Sequence, residues 1–288
     1  MSIRKLAVIG VGLIGGSLAR ALRAAGQVDE IVGCGRSRDN LEKAVELGVI
    51  DSYSHDIGEA VEEADMIFLA IPLGVMRDAF EAMKGHLHEK AVITDGGSVK
   101  GSVIADCEAV FGEILPNFVP GHPIAGTEKN GVEASFAELY QSRRVILTPV
   151  SQTDESAIAR VHAMWQYCGA EINRMSPVDH DRVLAATSHL PHMLAFALVD
   201  MLSRVDYEED IFKYAAGGFR DFTRIASINP VMWRDICIAN KDAVASLVES
   251  YADEMMDLAR AIREDDVETL TRMFMNAKKH RDAFIDGI

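Results

Sequence analysis

A histidine flanked by glycines and a proline, in Gly121-His122-Pro123-Ile124-Ala125-Gly126-Thr127-Glu128, lies about 110 residues after a Gly10-x-Gly12-x-x-Gly15 fingerprint. Imidazole exchanges a proton near neutral pH. Glycine and proline predict a tightly turning, irregular loop that brings the ring up to a ligand. The fingerprint follows the apolar run Leu6 to Ile9 and opens a helix, the context in which such glycines bind a dinucleotide. Gly10 permits the turn, Gly12 lets a pyrophosphate approach the backbone, and Gly15 allows helix and strand to pack closely. The helix start at Leu13 and Ile14 then offers unpaired N–H groups to the phosphates. A dinucleotide site followed by a candidate base suggests an oxidoreductase.

The end of the second expected strand reads Gly33-Cys34-Gly35-Arg36-Ser37-Arg38, with no acid before Asp39. NAD sites usually place Asp or Glu there, against the ribose hydroxyls. Arg36, Ser37 and Arg38 can instead hold a 2′-phosphate, which favours NADP; the alternative is NAD bound without the carboxylate. Asp95-Gly96-Gly97-Ser98-Val99-Lys100 closes another strand at the sheet edge where open α/β folds bind ligands. There Ser98 can orient a neighbouring imidazole and Lys100 can begin the next helix, or the segment is a turn with a helix cap. In Ser188-His189-Leu190-Pro191-His192, Pro191 fits the first turn of an apolar helix, and one histidine can point into a cleft. Gly217-Gly218-Phe219-Arg220-Asp221-Phe222-Thr223-Arg224 combines a double glycine with two arginines. Arg224 can grip a carboxylate bidentately while Asp221 holds an arginine; otherwise this is a helix start with a surface ion pair.

The elements that must position these groups change character along the chain. The first half alternates short apolar strands (Leu6 to Ile9, Glu30 to Cys34, Met66 to Ile71, Ala91 to Thr94, and Val145 to Pro149 as the last) with helical patterns. Leu13 to Ala25 reads as a helix stopped by Gly26, and Ser37 as the cap of the next. This alternation predicts an α/β fold, a doubly wound parallel sheet of the Rossmann type over residues 1–150. Residues 151–288 are expected to form a helical substrate-binding and dimerisation domain, beginning with a helix at Thr153 to Cys168 and a short strand at Ala170 to Arg174. From Pro230 to about Arg263, the stripe Val244, Leu247, Val248, Tyr251, Met255, Leu258, Ile262 predicts one long helix. A helix of that length suggests a homodimer, the alternative being packing within one chain.

A net charge of −15 and a pI near 5.0 argue against nucleic acid or an anionic membrane as partner, without forbidding an anionic substrate in a local basic pocket. The four cysteines are each more than sixty residues from the next, with no paired metal spacing, so they read as reduced thiols and no metal site is expected. Arg4-Lys5 ahead of an apolar run superficially resembles a signal peptide, but the run carries the nucleotide-binding glycines. The longest other apolar run, Met66 to Met76, is short of the ~18 residues of a membrane span, and a cytoplasmic location is expected.

Together these motifs resemble the prephenate/arogenate (cyclohexadienyl) dehydrogenase family of tyrosine biosynthesis. The resemblance rests on Gly10 to Ser17, Gly97 to Lys100, Gly121 to Gly131, Ser188 to His192, Gly217 to Ala226 and Met232 to Asp235, in order along the chain. It implies a Rossmann domain followed by a helical dimerising domain, and oxidative decarboxylation of a cyclohexadienyl acid with NAD or NADP. It casts His122 as the catalytic histidine at the ring hydroxyl, Ser98 as the residue positioning it, and Arg224 as a carboxylate ligand. His192, Arg220, Thr127 and Glu128 would line the substrate pocket. Some relatives carry lysine at position 220, which keeps the charge and changes the geometry. Neither the ligand-sensing nor the chorismate mutase domain of some relatives is expected within the chain. Two other readings compete: a β-hydroxyacid dehydrogenase or imine reductase, and a non-catalytic NADP-sensing module.

Overall fold

The computed structural model describes residues 2–127, 129–206 and 211–286, so the expected pocket residue Glu128 lies outside the described residues. The chain divides into two compact units, residues 1–241 and 242–288.

The first unit is built on a six-stranded parallel sheet of β1 (Ile3–Ile9), β2 (Val28–Cys34), β3 (Ser52–Ser54), β4 (Met66–Leu69), β5 (Val92–Asp95) and β6 (Phe118–Val119). Their order, β3-β2-β1-β4-β5-β6, is that of a doubly wound dinucleotide-binding fold. The helices α1 (Leu13–Ala24), α2 (Arg38–Glu46), α3 (Ile57–Val61), α4 (Met76–Met83) and α5 (Lys100–Phe111) connect the strands. Strand periodicity distributes the core. Leu6, Val8, Met66, Phe68 and Val92 face one layer, and Ala7, Ile9, Ile67, Leu69 and Ile93 face the other. The short strands β3 and β6 escape a reading based on apolar runs because each is only two or three residues long.

A second sheet follows, with β7 (Gly121–Pro123) antiparallel to β8 (Arg144–Leu147), and β8 parallel to β9 (Glu171–Arg174). One expectation changes here. His122 is not on an irregular loop but in a strand, opposite Ile146, so backbone pairing rather than turn geometry fixes its direction. The short strand expected at Ala170 to Arg174 is β9. Between β8 and β9 runs α6 (Glu155–Tyr167), whose Ile158, Val161, Met164 and Trp165 belong to the core of the first sheet. Trp165 packs edge-on against Phe68 at 5.6 Å. The change of sheet comes earlier, between β6 and β7, and the expected boundary at 150 falls inside a continuous core.

Helices α7 (Pro177–Leu184) and α8 (Leu190–Ser203) are joined by a π-helical turn, Ala185–His189. Pro191 thus lies inside a continuous helical stretch rather than at a free helix start. Its ring and missing N–H disfavour a regular α-turn before it, and the π turn sits there. By length and composition alone the 27 residues Pro177–Ser203 are apolar enough to cross a membrane. Its polar residues His180 and Asp181 are bonded to residues of α5 and β7, which makes the stretch an element of the fold. After α9 (Gly217–Thr223), α10 (Pro230–Ala239) is capped by the Asn229 side chain on the N–H groups of Val231 and Met232. The single helix expected over Pro230 to Arg263 is broken at Asn240.

The second unit comprises nearly all of α11 (Lys241–Arg263) and α12 (Val267–Asp286), joined by a turn with Asp265 at φ +52°. Of the expected α11 stripe, Val248, Tyr251, Met255 and Ile262 stay exposed in the single chain, as do Phe274 and Met275 on α12.

Candidate active site

The glycine turn between β1 and α1 has the shape a pyrophosphate requires. Gly10 adopts φ +98°, and a Cβ there would lie 2.3 Å from the Ala70 carbonyl oxygen. A Cβ on Gly15 would lie 2.2 Å from the Gly10 oxygen, so both positions are closed to a side chain. Around Gly12, by contrast, a Cβ would meet nothing within 4 Å. No side chain caps the helix there, leaving the N–H groups of Leu13, Ile14 and Gly15 to face open space. The residues present therefore fit a dinucleotide phosphate at this turn. Asn40 straps the turn in place, donating from Nδ2 to Val11 O at 2.7 Å and accepting from Val132 N at 3.0 Å. Ser37 caps α2, its hydroxyl accepting from Asn40 N at 3.3 Å. Arg38 pairs with Glu42 at 3.0 Å, and Arg36 makes no ion pair among the described residues.

The loop after β5 adjoins this turn, since a Cβ on Gly96 would lie 3.5 Å from Ile14. It leads through Ser98 to Lys100, whose side chain is fully buried. The Lys100 ammonium donates to Asp95 and to the Gly121 carbonyl oxygen, the latter at 2.7 Å. Burial drives the lysine's pKa down, against the pull of Asp95.

Gly121 leads to His122, which is 9% exposed. Its Nδ1 lies 2.9 Å from His180 Nε2, and His180 Nδ1 lies 2.7 Å from Asp181 Oδ1. The protons follow from the carboxylate. Asp181 can only accept, so His180 carries its proton on Nδ1 and presents a bare Nε2. His122 must then donate from Nδ1, which leaves the lone pair of its Nε2 available, with no partner among the described residues. Asp181 also accepts from Lys100 N at 2.7 Å and Gly101 N at 2.8 Å, capping α5. Burial raises its pKa, but these hydrogen bonds outweigh burial and hold the carboxyl below its ordinary value. Burial, with His180, Lys100 and His189 nearby, depresses the His122 pKa well below that of a free imidazole. The ring is therefore neutral at pH 7 and able to accept a proton.

On the far side, His189 is 1% exposed and faces the Asn240 amide at 3.3 Å from its Nδ1. Burial lowers its pKa to about 4. His192 is held by the Ser188 carbonyl at 2.8 Å and stacks on Trp233, with ring centroids 3.7 Å apart. Its pKa falls through burial, and the charge of Arg224 lowers it further, which places that guanidinium within electrostatic reach of the stack.

His122, His180 and Asp181 thus form one chain, and Val99, next to Ser98, packs with Trp233, on which His192 stacks. The structure does not bring Ser98 onto the imidazole. Ser98 makes no side-chain hydrogen bond among the described residues, and the positioning contact expected of it is made by His180. Arg220 is exposed and 3.9 Å from Asp221, while Thr127 is exposed and accepts from Lys129 N. Neither contacts the cluster. His180, Asp181, Asp95 and Asn240 escaped the sequence reading. Asp179-His180-Asp181-Arg182 reads as a solvated helix start, and the one available signal was a histidine directly followed by a carboxylate.

Residues 18–174 match the family described as prephenate dehydrogenase, nucleotide-binding domain, and residues 176–276 match prephenate dehydrogenase, dimerization domain. The chain belongs to the prephenate dehydrogenase family. It is 39% identical to the cyclohexadienyl dehydrogenase of Zymomonas mobilis over 96% of this chain and 95% of that one. Among solved structures, a prephenate dehydrogenase from A. aeolicus in complex with hydroxyphenyl propionate and NAD+ aligns at a TM-score of 0.91 and 40% identity, covering 98% of each chain. The Synechocystis arogenate dehydrogenase aligns at 0.80 and 30%, covering 97% of this chain and 99% of that one. As a prephenate dehydrogenase family member the protein is an NAD(P)-dependent oxidoreductase, with the Rossmann fold and helical C-terminal part expected of it.

Proposed function

We propose that the protein carries out the oxidative decarboxylation of prephenate, arogenate or both, in tyrosine biosynthesis, with His122 as the base. The observation that carries this reading is the Asp181–His180–His122 chain, which ends in a neutral imidazole with its Nε2 lone pair free. Relatives named for prephenate, arogenate and cyclohexadienyl substrates support the substrate class. The dinucleotide, held at Gly10, Gly12, Leu13, Ile14 and Gly15, supplies the hydride acceptor. His122 Nε2 takes the proton of the ring hydroxyl as hydride leaves the same carbon. Electrons of the carbon–carboxylate bond then flow through the ring onto its oxygen, carbon dioxide departs, the ring becomes aromatic, and the phenolate oxygen recovers the proton from His122. Arg224 holds a substrate carboxylate beside the His192–Trp233 stack. Ser98, Arg220, Thr127 and Glu128 are assigned to the substrate site on the family resemblance.

NADP is favoured over NAD because no acid closes β2 and Arg36 remains available, although the Arg38–Glu42 pair leaves fewer groups for a 2′-phosphate. The domain boundary lies near 175, after β9, as the shared core of α6 supports. Residues 176–276 make a homodimer, supported by the exposed apolar residues of α11 and α12 and by the description of the matching family. The enzyme acts in the cytoplasm, without nucleic acid or membrane as partner.

Absorbance assays with prephenate and arogenate, each with NAD and NADP, test the reading. Reduction with at least one pair is expected, and its absence with all four would refute it. His122→Asn should lose at least a hundredfold in kcat, and near-normal turnover would refute its role as base.

A further inference from the structure

His122 is held from two directions, and both lead back to one residue. Its main chain is fixed at Gly121. The N–H of Gly121 donates to Asp95 Oδ1 at 3.0 Å, and its carbonyl accepts from Lys100 Nζ at 2.7 Å. Its imidazole is fixed through His180 and Asp181, and Asp181 is in turn held by the backbone N–H groups of Lys100 and Gly101. The peptide before His122 and the ring beyond it are thus both referenced to the first turn of α5. The Lys100 ammonium and the Asp95 carboxylate that close this frame are fully buried. A buried pair of this kind is weak evidence for stability, because two charges must be desolvated to form it. Replacing it with apolar groups would leave both backbone groups of Gly121 without these partners.

We infer that the Lys100 side chain, clamped to Asp95, is a positioning residue that fixes the backbone of His122 through Gly121, while the main-chain N–H groups at the start of α5, which any residue supplies, hold Asp181 behind the ring. This rests on the reading of His122 as the base. Lys100 touches neither the ring nor the open face of the site, so its effect passes through geometry and charge. The charged and titratable groups around His122 are His180 on α7, His189 on the π turn, Lys100 on α5, and Asp95 and Asp181 behind them. The ammonium disfavours protonation of His122, so its loss makes the imidazole more basic.

The test uses the full-length enzyme as Lys100→Met, and as the charge-neutral pair Asp95→Asn/Lys100→Met, which leaves no uncompensated buried carboxylate. Melting temperature and dinucleotide affinity, read by protein fluorescence, establish that each variant is folded. In both, kcat should fall about 10- to 100-fold, with KM for substrate and cofactor within about threefold, because a small displacement of the base costs turnover rather than binding. In Lys100→Met the acid limb of the kcat–pH profile should also move to higher pH. A purely structural role would leave that limb in place. Folded variants with kcat within twofold of wild type and an unmoved limb would overturn the inference, as would raised KM with intact kcat. His122→Asn is measured alongside. If it alone keeps full turnover, the base assignment fails; if it is inactive while the Lys100 variants are not, only the positioning role fails.

Discussion

The Asp181→Asn variant tests the proton logic of the site most directly. The carboxylate accepts three hydrogen bonds, from His180 Nδ1 at 2.7 Å, Lys100 N at 2.7 Å and Gly101 N at 2.8 Å. Asparagine has the same shape but one accepting oxygen. Oδ1 accepts from both His180 Nδ1 and Lys100 N, and Oδ2 from Gly101 N, so the amide keeps its oxygen at the first site and sets its NH2 against the Gly101 N–H. The tautomers of His180 and His122 are preserved, and what is lost is the negative charge that favours a proton arriving on the relay. A general base contributes about 10² to 10⁴ in all, and only part of that is at stake. A loss of about 10- to 100-fold in kcat is expected, equivalent to about 1.4–2.7 kcal/mol in the barrier. KM for substrate and cofactor should change by less than about threefold, since no binding group is altered. Stability should fall by about 2 kcal/mol as charge-assisted hydrogen bonds are weakened. Steady-state kinetics and urea denaturation at pH 7 measure both. A folded variant with kcat within threefold of wild type would refute the relay.

Three further outcomes are expected. Gly12→Ala should keep its stability within about 1 kcal/mol yet raise the cofactor KM at least tenfold. Gly15→Ala should lose about 3 kcal/mol or more, because its Cβ would lie 2.2 Å from a backbone oxygen; equal effects in both assays would contradict the assigned roles. His189 titrates near 4 in the folded state against 6.5 when free, so the unfolded chain binds more protons and stability is lost as pH falls from about 6.5 to about 4. This contributes about 3 kcal/mol, and His189→Gln should flatten the fall in urea midpoint between pH 7 and 5; an unchanged slope would count against it. Arg224→Ala should raise the substrate KM about 10- to 100-fold with a smaller change in kcat, and a KM unchanged within twofold would remove it from carboxylate binding.

The sheet and its cofactor turn were legible because their signals are local. An apolar run such as Leu6 to Ile9 must be buried wherever it lies, and Gly10 and Gly15 mark positions where no side chain fits. Leu13 to Ala25 matched α1 within a residue for the same reason, since its end at Gly26 is set by a φ of +63°. The elements that eluded the sequence depend on partners. Residues Ser52–Ser54, Phe118–Val119 and Gly121–Pro123 are strands because neighbouring backbones offer them hydrogen bonds, not because of their own pattern. Asn240 looked like one more position in a long helix. It breaks that helix while its amide donates to the Asp181 carbonyl and faces His189.

The candidate site divides the same way. The sequence by itself showed that a histidine follows a dinucleotide turn, and it singled out His122, His192 and Arg224 as candidates. It did not determine what holds His122. Ser98 was the nearer candidate in the motif, but the contact is made by His180, 58 residues along the chain. Residue type records what a side chain can donate or accept. Whether a histidine and an aspartate at a helix start face water or sit buried behind another histidine is decided by which surfaces the fold presses together. Only that burial turns Asp181, His180 and His122 into a directed chain of hydrogen bonds.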